Sequence, residues 1–77
     1  MFFNINYRSS SAVRAITVNP ISGEAIVTFK SGLTYSYERV NRLAILNLMA
    51  NDNISLGFWV NENCLCVDSG AIAYAVA

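Results

Sequence analysis

Residues 26–37 read IVTFKSGLTYSY, and this stretch decides the fold. Two runs rich in β-branched and aromatic residues flank Lys30-Ser31-Gly32, where glycine supplies the positive φ that a tight reversal needs. Side chains alternate along a strand, so Val27 and Phe29 share one face of the first run, and Leu33, Tyr35 and Tyr37 share one face of the second. The stretch predicts a β-hairpin presenting three large side chains two residues apart.

Working outward toward the N-terminus, Ala12–Val18 reads as another strand, with Arg14 on the face of Ile16 and Val18. Asn19, Pro20, Ser22 and Gly23 form a turn cluster between it and the hairpin. Phe3, Ile5 and Tyr7 alternate with Asn4 and Asn6, which suggests a short first strand, and residues 8–11 are a polar break. Toward the C-terminus the pattern changes at NRLAILNLMA. Leucine, alanine and methionine favour helix and Asn41 is a good N-cap, so a helix is expected over about residues 41–51. Its apolar positions nearly encircle it, and such a helix is buried on more than one side. Residues 54–60 are open between a short helix and a strand. Asn61, Glu62 and Asn63 read as a turn. Residues 64–67 and 71–76 read as short strands split by Asp68, Ser69 and Gly70. The expected fold class is α+β: an antiparallel β-meander of three or more strands packed with one central helix, plus a β-rich or mixed C-terminal extension from about residue 62, in a single domain over residues 1–77.

A 77-residue chain buries only about 60% of the surface it exposes when unfolded, and small domains usually need a staple. Two cysteines and no histidine leave little room for disulfides or metal. Hydrophobic residues make up 55% of the chain and charged residues 13%, against about 25% charged in ordinary domains. So apolar a surface on so small a body points to a homo-oligomer, with Leu43, Leu46, Met49, Phe58 and Trp59 as candidate interface residues. The formal net charge is zero, which disfavours a protein that tracks long nucleic acid. The charges are segregated: all five basic residues lie before position 43, and Asp52, Glu62 and Asp68 follow with no base among them. Residues 1–8 lack the features of a signal peptide, and the closing AIAYAVA is far shorter than the ~20 residues that span a bilayer. A cytoplasmic protein without membrane contact is expected.

Catalysis finds little support. Histidine is absent, the serines lack a recognisable base, and the five carboxylates are scattered. No catalytic residue, cofactor or metal site is assigned. Cys64-x-Cys66 is too little for structural zinc, and on a strand the two would share a face as small hydrophobes. The best ligand candidate is a run of donors: Arg8, Ser9, Ser10, Ser11 and Arg14, with Lys30 joining if its turn lies nearby. Tyr35 and Tyr37 are placed either to stack on a base or to pack in the core.

Residues 9–60 resemble the KTSC domain. This family takes its name from the C-terminal extension of some lysyl-tRNA synthetases, and it occurs also as small free-standing bacterial and phage proteins. The resemblance rests on the serine run Ser9, Ser10 and Ser11, on the F-x-x-G pattern of Phe29-Lys30-Ser31-Gly32, and on the Tyr-x-Tyr motif Tyr35-Ser36-Tyr37 after the Gly32 turn. The S-x-G segment with trailing aromatics, Ser55-Leu56-Gly57-Phe58-Trp59, completes it. It implies a small module for which RNA binding has been suggested. The expected function is non-enzymatic: a homo-oligomeric bacterial or phage protein that sequesters a small phosphorylated ligand such as a nucleotide or cyclic nucleotide. The alternatives are RNA binding, and docking on a host enzyme.

Overall fold

The computed structural model describes residues 1–5 and 10–76. Five strands form one antiparallel sheet in sequence order: β1 (Phe3–Asn4), β2 (Val13–Asn19), β3 (Glu24–Phe29), β4 (Thr34–Glu38) and β5 (Ile72–Ala75). Between β4 and β5 the chain forms α1 (Arg42–Ala50), α2 (Leu56–Val60), a π-helical turn (Asn61–Leu65) that continues α2, and a single 3-10 turn (Val67–Ser69). The expected α+β meander is present.

The hairpin forms as its sequence dictates. Phe29 N–H donates to the Leu33 carbonyl at 2.9 Å and Gly32 N–H to the Phe29 carbonyl at 2.9 Å, with Gly32 at φ +100°. The preceding turn is organised by Asn19, whose Oδ1 accepts from Ile21 N–H at 3.0 Å and Ser22 N–H at 3.2 Å. Asn41 caps α1 as expected, its Oδ1 accepting from Leu43 and Ala44 N–H. Ser55 caps α2 by accepting from Phe58 N–H.

Strand registers sort the side chains into rows. Val18, Ala25 and Tyr37 lie side by side and are buried; Ile16 and Val27 are buried in the next row, with Tyr35 half-buried beside them. These rows meet Ile45 and Leu48 of α1 and Leu56, Trp59 and Val60 of α2 in one core. Burying these side chains is the main force holding so short a chain together. Thr17, Ile26 and Ser36 point to the other face, where Thr28 and Thr34 share a hydroxyl–hydroxyl bond of 3.2 Å.

Four sequence expectations change. The register of β2 on β3 shifts between Val13 and Ala15, a bulge at Arg14. The extra residue puts Val13, not Arg14, in the buried set with Ile16 and Val18, and leaves Arg14 exposed. The region expected to be a turn at residues 61–63 and a strand at residues 64–67 is helical instead. The π turn closes with Cys66 N–H donating to the Asn61 carbonyl at 2.9 Å, five residues back, while the Asn63 side-chain amide donates to the Trp59 carbonyl at 3.0 Å. Cys64 and Cys66 therefore do not share a face: Cys64 is buried and Cys66 exposed. Finally, α1 is covered on one side only. Ile45 and Leu48 are buried, whereas Leu43 and Leu46 face outward.

Candidate functional site

The predicted donors divide. Arg8 and Ser9 lie outside the described residues. Ser10 is half-buried and works as a turn cap, its Oγ accepting from Ala12 and Val13 N–H, both at 3.4 Å. Arg14 is exposed at the bulge. Ser11, Lys30 and Tyr35 come together. The link is a single backbone bond: Lys30 N–H donates to the Ala12 carbonyl at 2.8 Å, which ties the β3–β4 turn to the turn that precedes β2.

The result is an open cleft of about 540 Å³. Ser11, Lys30 and Ser31 supply its polar groups, and Phe29, Leu33, Tyr35 and Leu65 its apolar walls. Phe29 and Tyr35 meet edge to face, with ring centroids 6.2 Å apart and planes at 72°, so one ring fixes the other's orientation. Tyr37, one row further on, is 2% exposed and belongs to the core. Its hydroxyl is pushed above the usual tyrosine range, first by burial and then by the nearby Cys64 and Tyr35. Tyr37 therefore does not serve as a stacking platform, and Tyr35 is the tyrosine that reaches the cleft. Burial alone pushes the Cys64 thiol up to about 12, which keeps it protonated and inert.

The candidate interface residues also divide. Leu43 is 76% exposed, Leu46 49% and Phe58 65%. Met49 is half-buried and lines a small recess with Phe3, Asn4 and Ile5. Trp59 corrects the expectation outright: it is 4% exposed, and its indole N–H donates to the Ala44 carbonyl at 3.0 Å, joining α2 to α1. A second cleft of about 470 Å³ lies where these helices meet, with Asn47, Asn53, Phe58, Glu62 and Asn63 among its walls. Among the described residues, no group of three or more Cys, Asp and Glu side chains is placed to hold a metal ion. No helix of the described residues is long and apolar enough to cross a membrane.

Sequence reasoning missed Leu65 as a cleft wall, because its place depends on the π turn, for which the sequence carries no period. Phe29 and Ser31 had a signal in the F-x-x-G pattern that flanks the hairpin turn.

The backbone can be set beside solved structures. A crystal structure of a KTSC domain protein from Yersinia pestis superimposes with a TM-score of 0.71, covering 100% of this chain and 100% of that one at 19% identity. The chain has the KTSC domain fold. No family model matches its sequence, and no curated protein matches it in sequence. The KTSC motifs quoted above now acquire physical roles. A Cβ on Gly57 would lie 3.1 Å from Ser10 Oγ, so Ser10 and the S-x-G segment are two sides of one close approach. The F-x-x-G and Tyr-x-Tyr patterns are joined by the Phe29–Tyr35 ring contact.

Proposed function

We propose that the protein is a non-catalytic binding module that holds a small phosphorylated ligand in the Ser11–Lys30–Tyr35 cleft. The observation that supports it most is the Lys30-to-Ala12 backbone bond, which brings an ammonium group and two serine hydroxyls to the mouth of an aromatic-walled cleft. A cleft of this volume falls in the range of about 300–1,000 Å³ that suits a nucleotide-sized molecule. Lys30, Ser11 and Ser31 suit phosphate oxygens, and the Tyr35–Phe29 pair suits the face of a base.

Amide chemical shifts recorded during titration with adenosine monophosphate, a cyclic dinucleotide and inorganic phosphate test this directly. Saturable shifts at residues 11, 30–33 and 35 that Lys30→Ala weakens about tenfold are expected. Shifts confined to other residues, or none at millimolar nucleotide, overturn the assignment. A second reading, docking on a host protein, is favoured by the exposure of Leu43, Leu46 and Phe58. It predicts partner capture that Phe58→Ser abolishes and Lys30→Ala leaves alone. RNA binding, the family suggestion, predicts affinity that falls steeply with salt.

A further inference from the structure

Among the described residues, β5 is an edge strand with nothing covering its outer side. The meander has two edges, β1 and β5. β1 spans only two residues, and shortness is itself a defence against stray pairing. β5 has no charge, no proline and no bulge, and all four of its residues are exposed.

The ladder shows which backbone groups face the open side. Val76 N–H donates to the Thr34 carbonyl at 2.9 Å, and Tyr74 lies opposite Ser36. In an antiparallel ladder alternate residues turn their N–H and C=O to the same neighbour, so Ile72, Tyr74 and Val76 face β4. Ala73 and Ala75 turn theirs outward, and their methyl groups leave the edge accessible.

Residues 71–77 read AIAYAVA, the same in both directions about Tyr74 when isoleucine and valine are taken as equivalent. In a two-fold antiparallel pair each residue meets the mirror position of its own sequence, so this near-palindrome sets alanine against alanine, isoleucine against valine and tyrosine against tyrosine, pairs matched in bulk and free of charge. We propose that β5 pairs with β5 of a second copy about a two-fold axis through Tyr74, joining two sheets edge to edge. Ala73 of one copy then exchanges both backbone bonds with Ala75 of the other. Ile72 meets Val76, and Tyr74 meets Tyr74, on the face opposite the helices. No charged side chain lies within the pair, so no like charges meet. The interface thus lies on the tail, one strand over from Tyr35 of the cleft, which pairs with Ala75.

Sedimentation and cross-linking test this. At about 50 μM the wild-type chain is expected to sediment as a dimer. Ala75→Pro removes an outward N–H and leaves the bonds of Tyr74 and Val76 to β4 intact, so it should raise the dissociation constant about thirtyfold with an unchanged circular dichroism spectrum. Tyr74→Cys in a Cys66→Ser background should form a covalent dimer on mild oxidation, because directly opposed residues in such a non-bonded pair lie about 4.5 Å apart at Cα, within disulfide reach. A monomer at this concentration overturns the proposal, and so does a dimer that folded Ala75→Pro leaves intact. If Ala75→Pro disturbs the fold, the cross-link decides: its absence in an associated Tyr74→Cys protein is equally fatal.

Discussion

The β2–β4 part of the sheet and β5 are both rich in apolar residues, yet they put them to opposite ends. Ile16, Val18, Ala25 and Val27 lie fully buried beneath α1 and α2. In the same two rows Ala73 and Ala75 continue the sheet, and both are exposed. The first region stabilises the single chain, and the second stays exposed, which is where the proposed pairing with a second copy would use it. The lesson is that a high apolar fraction in a small domain does not all belong to its core. Register and helix placement decide which part does.

The largest effect should come from breaking the buried side. Trp59→Ala removes a core ring and the bond to the Ala44 carbonyl, and should cost about 4 kcal/mol in urea unfolding. Tyr74→Ala, measured below the association concentration, should change stability by less than about 0.5 kcal/mol. The cysteines sharpen the contrast next. The Cys64 thiol is raised from 9.0 to about 12 by burial, so the unfolded chain releases its proton first. Stability is therefore full below about pH 9 and falls as pH rises toward 12, by about 3 kcal/mol at pH 11. Cys64→Ala should flatten that limb, and a thiol reagent at neutral pH should label Cys66 alone in the folded protein.

Smaller still is Gly23→Ala. At φ +76° its Cβ would lie 3.0 Å from the Val40 carbonyl oxygen, which itself belongs to the segment leading into α1. A cost of about 2 kcal/mol is expected, against about 1 kcal/mol for Gly32→Ala, where nothing lies within 4 Å. The last effect has the opposite sign. Arg39 holds φ at 61° and is exposed, so Arg39→Gly should stabilise by up to about 1 kcal/mol in the same unfolding assay.

Where local rules dominate, the sequence was legible. The hairpin around Gly32, the Asn19 turn and the Asn41-capped helix follow from turn chemistry, capping and propensity, and all three form. What could not be read depends on tertiary context. The bulge at Arg14 adds one residue with no compositional mark, and that alone exchanges Arg14 for Val13 on the buried face. The π turn at residues 61–65 alters the period within a single turn, so a strand pattern at Cys64 and Cys66 was indistinguishable from a helix. Of the candidate ligand residues, Ser11, Lys30 and Tyr35 line one cleft, and the hairpin places two of them. Tyr37 was not separable from Tyr35 by spacing; only the helices above the sheet cover one and leave the other within reach of the cleft. Trp59 failed as a surface residue because its partner, the Ala44 carbonyl, is a backbone group that no side-chain pattern reports.

The claim that one strand's apolar residues are reserved for a second copy is tested most directly by amide hydrogen exchange in β5 at two protein concentrations. Tyr74 and Val76 amides, bonded to β4, should exchange slowly at both. Ala73 and Ala75 amides should exchange quickly in dilute protein and slowly in concentrated protein. If Ala73 and Ala75 exchange quickly at both concentrations, the edge is unpaired and the account is wrong.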